Sequence, residues 1–592
     1  MSNSGASPTP HPAAHQAAAQ REPGRRTALL AICAITALAA LVRSGGLCDS
    51  LWLDELQTAW AVGGSWDDVA PRARMGNQSP LYYWGLWLLV QAAGLEEWVL
   101  RLPALVAGTA LVPTVYAVLV CWTNSRATGL VGALLAAVDP VAVDYAQEAR
   151  PYAWVTWIAV VHVACLARLT VDPRPLVRAS FVGTFWLLFY LHYTAGLLWA
   201  ADAVVHLVLF VLPALRGKAA TDHAAHLGGS TGRSAAQALR TMWLDLALAL
   251  AGTLPAWPHL ADVAGRRHDW AQFVPAAGLL RLLTIYPIVG YLVVPACLLA
   301  VVAIARRWCG ASIAVNGAGE RLPHRALAPH SATYATPASP AAPAAREHAG
   351  LVVAGWLLAP LAVAWLATWF DIARFFYRRY TLVSSLAPLM GAALLWSRAP
   401  TARTRAIVLA AIVAVVQAGG GPLWELARQG RIDRLVNEDW RGAIGQLRAA
   451  LESTAEAPLT ASPEGPLAAL LEAPPVLVAA GLIECEQGTI DAHSWARDYC
   501  LLPVGSIYPL GDPLVAPLAC RRVQAIPSEV WAASQSAGQM WLLLRGDAAF
   551  ARQCAGDVCA AAPGPEVLEI GEVQPFRGVT LVRLRYESWP PR

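Results

Sequence analysis

Long apolar runs, each followed by a short polar segment, alternate along the first 420 residues of the chain. A helix needs about 20 mainly apolar residues to cross a bilayer, and several of the runs reach or approach that length. The pattern predicts about eleven membrane-spanning helices. They cover residues 27–42, 101–122, a run that begins at 129, and residues 152–169, 179–191, 195–215, 242–262, 280–304, 351–370, 380–396 and 405–418.

The composition agrees with this pattern. Of 592 residues, 56% are hydrophobic and only 14% are charged, which is too apolar for an ordinary soluble enzyme. The 25 tryptophans suit the aromatic belts that form where helices leave the bilayer. A formal net charge of +4 does not indicate a nucleic-acid partner, and we expect membrane lipids to surround the chain.

The basic residues give the predicted spans a direction. Arg21, Arg25 and Arg26 precede the first span, and cytoplasmic flanks are enriched in Lys and Arg. We expect residues 1–26 to be a disordered cytoplasmic tail before an uncleaved anchor. A cleaved signal peptide is the alternative, but no small-x-small cleavage site follows the run. The loops that then become cytoplasmic are rich in basic residues, and they cover 167–178, 216–233, 306–350 and 397–405.

The first outer loop, residues 44–100, contains a further apolar run, "SPLYYWGLWLLVQAAG". Ser79 could cap a helix with Pro80 at its first position, but the run is too short to span a bilayer. We therefore expect a helix that lies in the membrane interface. Counted as a span, it would turn the basic loops outward, against the usual charge rule.

Acidic residues gather at the predicted outer edge of the apolar bundle. Asp54 and Glu55 lie in the first outer loop, while Asp139, Asp144 and Glu148 lie at or beyond the end of the third span. Partial desolvation at such an edge raises the basicity of a carboxylate and suits it to proton transfer. One acid alone often only solvates a turn. Two acidic sites beside two basic ones favour a functional site.

Two arginine-containing segments, residues 264–270 and 370–380, also fall on the outer side, although cytoplasmic loops usually hold the excess of positive charge. Two uses of these arginines stay open. They could snorkel to lipid headgroups, or they could clamp a phosphate, whose geometry the guanidinium fork matches.

The segment 421–592 is long enough for a core of its own, and its predicted position is outside the cytoplasm. The stretch at 439–453 has helical periodicity, while 474–482, 540–546 and 578–586 are typical of strands, so we expect a small α/β domain. Five cysteines lie there, Cys485, Cys500, Cys520, Cys554 and Cys559. An odd number leaves one thiol free or paired with Cys48, and the connectivity stays open.

Four stretches, in this order, resemble a known family: "SLWLDELQTAW", "NQSPLYYWGLWLLVQAAGLEEWVLRLPALVAGTALVPTVY", "DPVAVDYAQEARPYAW" and "RRYTLVSSLAPLMGAALL". They are similar to the polyprenyl-phosphate-sugar-dependent glycosyltransferases of the C-type membrane fold (GT-C). Within that group the chain looks closest to the bacterial branch related to protein O-mannosyltransferases and to the aminoarabinose transferases of lipid A. The resemblance covers residues 25 to about 450. It implies a polytopic α-helical transferase domain at 27–420, followed by the extracytoplasmic α/β domain.

The resemblance also implies roles for individual residues. Asp54 would be the general base of an inverting displacement, with Glu55 as its companion and Glu148 as the second acidic catalytic position. The implied ligands of the donor phosphate are Arg150, Arg374, Arg378, Arg379 and Tyr380, and the implied lining residues are Tyr82 and Tyr152. The segment "NQSPLYY" departs from these branches, which tend to carry two prolines after a His or Lys. Their sugar and acceptor therefore do not carry over.

The expected reaction is transfer of a sugar from a polyprenyl-phosphate donor to a lipid, glycan or protein acceptor at the outer face of the cytoplasmic membrane. No nucleotide-binding glycine loop is present, since "GGG" at 419–421 has the context of a linker. A divalent cation at Asp54, Glu55 and Glu148 is compatible with the sequence, but no cofactor is specified by it. A transporter or flippase of a lipid-linked glycan is the alternative, although its key charges should lie near mid-membrane.

Overall fold

A computed structural model of the chain describes residues 22–170, 172, 174–211, 235–266, 274–275, 278–316, 341–430, 432, 438–455, 473–482, 485–486, 496–511 and 513–587. Most of the tail expected at 1–26, the cytoplasmic loop expected at 216–233 and Arg267 lie outside these residues. Helices dominate the described part of the chain up to residue 455, and a small mixed sheet follows.

The described helices of the first 430 residues include both long apolar helices and short polar ones. In chain order they are α1 (Arg25–Ser44), α2 (Leu53–Val62), α3 (Trp66–Met75), α4 (Leu81–Ala93), α5 (Glu97–Thr123), α6 (Arg126–Ala137), α7 (Pro140–Ala146), α8 (Tyr152–Leu169), α9 (Pro175–Leu191), α10 (Leu198–His206), α11 (Ala235–Ala251), α12 (Trp257–Gly265), α13 (Arg281–Thr284), α14 (Val294–Asn316), α15 (Ala341–Trp369), α16 (Ala387–Ser397), α17 (Ala402–Ala418) and α18 (Pro422–Gln429). Short 3₁₀ or π segments lie at Tyr193–Leu197, Leu207–Val211, Leu254–Ala256, Val289–Val293, Arg378–Tyr380 and Leu382–Ser384.

Within the described residues, five helical stretches are long and apolar enough to cross a membrane. They are Arg25–Ser44, Glu97–Thr123, Tyr152–Leu169, Val289–Arg307 and His348–Trp369. Two bent pairs, α6 with α7 and α17 with α18, raise the number to seven if each pair is one broken span. The remaining predicted spans fall on shorter apolar helices at Pro175–Leu191, Tyr193–Leu209 and Leu382–Ser397, and on α11 and α12. The chain therefore has the helical make-up of a multi-pass membrane protein.

The predicted third span bends by 56° between α6 and α7. Pro140 starts α7, and the Asp139 carboxylate caps it by accepting a hydrogen bond from the Ala142 amide (2.7 Å). The last carbonyls of α6 would otherwise lack partners, and the buried Arg43 guanidinium donates to those of Ala136 and Ala137. This bend directs the segment after α7 toward the first outer loop.

The helix expected at the membrane interface is α4, and its 13 residues are too few to span a bilayer. The expected cap is wrong. Pro80, not Ser79, is the residue before the helix, and the Ser79 hydroxyl instead donates to the Tyr190 carbonyl. Ser79 thus joins the start of α4 to the end of α9.

The C-terminal part contains a five-stranded sheet in the order β2-β1-β3-β5-β4. Its strands are β1 (Val476–Ala479), β2 (Val515–Pro517), β3 (Gln539–Arg545), β4 (Leu568–Phe576) and β5 (Val579–Tyr586), and its helices are α19 (Trp440–Ala455), α20 (Ala496–Cys500), α21 (Leu502–Gly505), α22 (Ser528–Ala537) and α23 (Ala548–Ala561). Strand β1 pairs in parallel with β2 and β3, while β5 pairs antiparallel with β3 and β4. The three predicted strands are β1, β3 and β5. Strand β2 has only three residues, and β4 is a largely exposed edge, so neither carries a strong apolar pattern.

Two disulfides join four of the five C-terminal cysteines, Cys485 with Cys500 and Cys520 with Cys554. Cys559, a residue of α23, is a free thiol that is half-buried against the apolar core of the sheet, and Cys48 is also free. Burial raises the pKa of Cys559 to about 11, which keeps this thiol protonated and unreactive at neutral pH.

The C-terminal part packs against the first outer loop. The Tyr508 hydroxyl accepts from the Leu51 amide (3.0 Å) and donates to the Glu97 carboxylate (3.1 Å), which also pairs with Arg441 (3.0 Å). Buried side chains of the helical part and of the sheet belong to one continuous apolar cluster, which includes Leu56 and Leu543. The sheet is therefore positioned relative to helix α2, which carries the candidate site.

Candidate functional site

Helix α2 carries Asp54 and Glu55 in its first turn, where the helix dipole favours negative charge. Successive residues of an α-helix point about 100° apart, so the two carboxylates face different surroundings. Glu55 is directed into the protein and is fully buried, whereas a quarter of the Asp54 side chain is exposed.

Glu55 is held by a closed set of donors. Arg101 donates to both of its carboxylate oxygens, from Nε to Oε1 at 2.8 Å and from Nη2 to Oε2 at 2.7 Å. The Ala149 amide donates to Oε1 at 2.8 Å and the Trp52 amide to Oε2 at 3.3 Å. A bidentate pair with two further backbone donors fixes the side chain of Glu55 in one position.

Arg101 also organises the loop before α2. Its Nη1 donates to the carbonyls of Gly46, Leu47 and Asp49, and its Nη2 donates to that of Ser50. The Glu55–Arg101 pair is therefore a structural anchor that fixes α2 and the loop before it.

Asp54 faces two arginines from distant parts of the chain. Nη1 of Arg379 donates to its Oδ2 at 2.7 Å, and Nη2 of Arg150 lies 3.9 Å from the same oxygen. The structure thus brings together three residues that the sequence analysis had selected from separate segments. The partly exposed carboxylate of Asp54 therefore lies between two cations, the guanidinium groups of Arg150 and Arg379.

Arg150 is almost fully buried beneath Asp54. Its Nη1 donates to the Asp54 carbonyl (3.1 Å), to Oε1 of Gln57 (2.8 Å) and to the Tyr83 hydroxyl (3.1 Å). Its guanidinium carbon lies 5.8 Å from the centre of the Tyr152 ring. Burial lowers the pKa of Arg150, but Tyr83, Tyr152 and Asp54 raise it to a net value above the usual one. The guanidinium of Arg150 therefore stays charged, and several polar and aromatic partners hold it.

Two aromatic rings lie beside Arg379. Its guanidinium carbon lies 5.4 Å from the Tyr377 ring centre and 5.5 Å from that of Tyr380, close enough for cation–π attraction. Burial lowers the pKa of Arg379 and Asp54 raises it, with a net increase well above the usual value. Burial also raises the pKa of Tyr380 to about 12, so its phenol stays neutral and can donate a hydrogen bond.

The other two arginines of the predicted clamp point elsewhere. Arg374 is partly exposed and pairs with Asp371 three residues before it (3.1 Å). Arg378 is half-buried, and its charge interacts with Asp144 and Asp139 of the bent span. Of the three, only Arg379 contacts the Asp54 carboxylate in the described structure.

The remaining predicted site residues lie around this centre. Tyr82 is buried edge-to-face against Tyr83, with ring centres 5.5 Å apart, and its hydroxyl has no hydrogen-bond partner among the described residues. The buried Tyr152 ring packs between Tyr145 (5.1 Å) and His192 (5.6 Å). Glu148 is buried two residues before Arg150, and its carbonyl accepts a hydrogen bond from the Arg150 amide (2.7 Å).

His192, Gln57 and Tyr83 belong to the site, but the sequence analysis missed them. Burial, with the charges of Arg150 and Arg379, lowers the pKa of His192 to about 3, so its ring is neutral at physiological pH. Gln57 follows Asp54 by three residues and shares its helix face, a spacing that could have indicated it. His192 ends an apolar helix, which alone is a weak signal.

The predicted catalytic acids Asp54 and Glu55 do not share one set of partners. Asp54 and Glu55 bind arginines on different sides of α2. Within the residues that the structure describes, no group of three or more His, Cys, Asp or Glu side chains is arranged to hold a metal ion. Guanidinium groups thus neutralise the carboxylates of Asp54 and Glu55.

No family model matches the chain, and no curated protein matches it significantly. Solved structures do show an overall likeness. The oligosaccharyltransferase AglB from Archaeoglobus fulgidus, in complex with an inhibitory peptide and a dolichol-phosphate, has a TM-score of 0.41 and 12% identity over 90% of this chain and 72% of its own. ArnT from Cupriavidus metallidurans, bound to undecaprenyl phosphate, has a TM-score of 0.43 and 12% identity over 94% of this chain and 97% of its own.

Proposed function

We propose that the chain is a GT-C-type membrane glycosyltransferase that takes a sugar from a polyprenyl-phosphate donor and inverts the anomeric centre. One observation supports this above all others. A partly exposed carboxylate, Asp54, lies between the buried cation Arg150 and the partly exposed cation Arg379 at one end of an apolar helical bundle. That arrangement combines a base for an acceptor with positive charge for a phosphate, beside surfaces suited to lipid.

In the proposed reaction, an acceptor oxygen or other nucleophile attacks the anomeric carbon and gives its proton to the Asp54 carboxylate. The bond from that carbon to the phosphate oxygen breaks, and polyprenyl phosphate leaves with the bonding electron pair. The leaving group gains negative charge in this step. Nearby guanidinium groups therefore stabilise the transition state more than the ground state, which is the condition for catalysis.

Arg379 is the best supported phosphate ligand. It is partly exposed, it already donates to an anionic oxygen, and Tyr380 beside it can donate as a neutral phenol. A donor phosphate would compete with Asp54 for Arg379, and its arrival would release the carboxylate to act as a base. Arg150 would remain beneath both groups, because four oxygen or ring contacts hold it.

The other predicted residues have weaker support. Arg378 is proposed as a second phosphate contact reached from the side of Asp144, and Arg374 as a contact for a lipid headgroup or phosphate at the surface. Glu148, Tyr82 and Tyr152 are proposed to line the acceptor or sugar side of the site. Glu55 supports the reaction as the anchor of α2 rather than as a second base.

We propose that the site and the C-terminal sheet face the outside of the cytoplasmic membrane. Two disulfides in the C-terminal part suit an oxidising compartment. Single cysteines at exposed Glu566 and at Ala402, in the basic loop 397–405, test the orientation. In intact spheroplasts an impermeant thiol reagent should label E566C and not A402C above the wild-type background. The reverse pattern would place Asp54 in the cytoplasm.

A transporter or flippase of a lipid-linked glycan is a second candidate, and one observation favours it. His162 of α8 and Asp202 of α10 form a fully buried pair (3.2 Å) inside the helical bundle. Intramembrane charges of this kind often mark transport pathways. The pair does not contact Asp54, so the two functions can be separated experimentally.

Reconstitution into liposomes tests the proposal. Wild-type protein and Asp54→Asn would receive a panel of radiolabelled polyprenyl-phosphate sugars together with membrane lipid, glycan and protein fractions. We expect label from one donor to reach an acceptor with the wild type only. Donor translocation without transfer, retained by Asp54→Asn and lost in Asp202→Asn, would favour the transporter instead.

A further inference from the structure

The start of helix α2 depends on acceptors other than the side chain of the residue that precedes it. Trp52 precedes it and provides no capping hydrogen bond to a first-turn amide of the helix. First-turn amides of a helix have no partner within the helix, so a buried start needs acceptors from elsewhere. The Trp52 amide donates to Glu55, and the Leu53 amide donates to Oε2 of Glu438 at 3.0 Å, 385 residues away in the chain.

Glu438 is itself fixed by the C-terminal part. It is 5% exposed, its Oε2 also accepts from Nε1 of Trp440 (2.8 Å), and its Oε1 accepts from Nε of Arg545 (2.8 Å). Trp440 opens α19 and Arg545 closes β3, so both donors belong to regular elements. The carboxylate is therefore a rigid link between the sheet and the residue next to Asp54.

Two anchors thus fix the first turn of α2 from opposite sides. From the helical bundle, Arg101 holds Glu55. From the C-terminal part, Glu438 holds the Leu53 amide. A negative charge at the start of a helix also interacts favourably with the helix dipole. Asp54 lies between the anchored residues Leu53 and Glu55 in the chain, so both anchors determine the direction in which its carboxylate points.

We infer that Glu438 is a positioning residue for Asp54: by capping α2 from the C-terminal part, it holds the Asp54 carboxylate against Arg379 and Arg150. The inference rests on the proposed function of Asp54 as the base. It makes the C-terminal sheet a part of the transfer machinery rather than an appended domain. Small displacements of a reacting group matter, since a shift of about 1 Å can reduce a rate by about a hundredfold.

Glu438→Gln is the sharpest variant. Its single amide oxygen can accept either from Leu53 and Trp440 or from Arg545, but not from both sides, so the cap loosens while the volume stays constant. Glu486→Gln is the matched control. Glu486 accepts from the amides of Cys520 and Arg521, wholly within the C-terminal part, and none of its hydrogen bonds reaches α2.

The test combines kinetics with hydrogen exchange of the full-length protein in liposomes. For Glu438→Gln we expect kcat to fall about 10- to 100-fold while the donor KM stays within about twofold, because orientation rather than binding is lost. Exchange at the Leu53 amide should become about tenfold faster or more, because the amide loses its acceptor. Glu486→Gln should change neither quantity.

Arg545→Gln provides a milder variant if Glu438→Gln fails to fold, since Arg545 is a third exposed and only supports the cap. It should shift kcat and Leu53 exchange in the same direction by a smaller factor. Wild-type levels of both in the folded variants would overturn the inference, as would faster exchange with unchanged kcat. An inactive wild type would instead reject the proposed function, and the exchange at Leu53 would still decide whether Glu438 fixes α2.

Discussion

Asp54 and Glu55 are consecutive residues of α2, but their carboxylates lie in two regions with different physical properties. The Glu55 region is closed: the side chain is fully buried, and four hydrogen bonds from Arg101, Ala149 and Trp52 reach its two oxygens. The Asp54 region is partly open: a quarter of the side chain is exposed, and Nη1 of Arg379 donates a hydrogen bond to its carboxylate. Two chemically similar acids therefore differ in how easily each can exchange its partner.

The difference explains how a site can be both rigid and reactive. A buried carboxylate with a bidentate arginine is costly to disturb, because breaking the pair leaves a charge without a partner in a medium of low polarity. The Asp54 carboxylate is a quarter exposed, so its ion pair with Arg379 can open. The carboxylate can then accept a proton, and Arg379 can bind a phosphate instead. The Glu55–Arg101 pair keeps helix α2 in place, and the position of the helix determines where the Asp54 carboxylate lies.

Glu55→Ala should have the largest effect on stability. It leaves the Arg101 guanidinium buried and partly unpaired, and removal of one partner from a buried pair typically costs about 3 to 5 kcal/mol. Thermal and denaturant unfolding in detergent would measure the loss. Glu569→Ala, an exposed change on strand β4, is the control and should be close to neutral. A Glu55→Ala protein as stable as the control would contradict the division between the two regions.

Arg379→Ala should weaken binding of a donor analogue by about 1.5 to 3 kcal/mol, the range of a hydrogen bond to a charged group. Arg379→Lys should restore only part of the affinity, because it keeps the charge and loses the planar fork. Arg374→Ala is the comparison: its partner Asp371 is exposed, and a surface pair contributes about 0 to 1 kcal/mol. Titration of each variant with the same analogue would test this. Equal effects of the two alanine variants would argue that Arg379 only anchors the protein at headgroups.

His192 provides a smaller effect that depends on pH. Its pKa is about 3 in the folded protein against about 6.5 in an unfolded chain, so the unfolded state binds more protons between these values. Stability should therefore be lost as the pH falls below about 6.5, by at most about 1.4 kcal/mol per pH unit for this one group. His192→Asn removes the titration. Melting temperatures at pH 7 and pH 5 should differ less for this variant than for the wild type, and an equal difference would assign the acid sensitivity to other groups.

Part of this organisation could be predicted from the sequence. Apolar runs indicated the long helices closely, as for the run at 101–122 that lies within α5, because the bilayer imposes a length and a polarity on each helix. Strong apolar strand patterns likewise identified β1, β3 and β5. The acid of "WLDE" and the arginines of "FFYRRY" were expected at the same edge, and Asp54 does contact Arg379.

The individual partners could not be predicted. Arg374, Arg378 and Arg379 are equally basic in sequence, and the irregular backbone around Arg378–Tyr380 decides which one reaches Asp54. Glu55 was expected as the companion of Asp54, but its partner Arg101 lies on another helix and could not be identified from local sequence. The cap by Glu438 joins residues 385 positions apart and follows no local pattern. Such tertiary contacts depend on packing that a linear sequence does not display.

The central claim is that Asp54 is the base of a sugar transfer, and one measurement tests it most directly. Single-turnover transfer from the polyprenyl-phosphate sugar that the wild type uses would be compared with Asp54→Asn under donor-saturating conditions. We expect the rate to fall about a hundredfold to ten-thousandfold, as is typical when a general base is lost. Donor binding should stay the same or become tighter, because a neutral amide competes less well for Arg379. A variant that transfers at close to the wild-type rate would contradict the account.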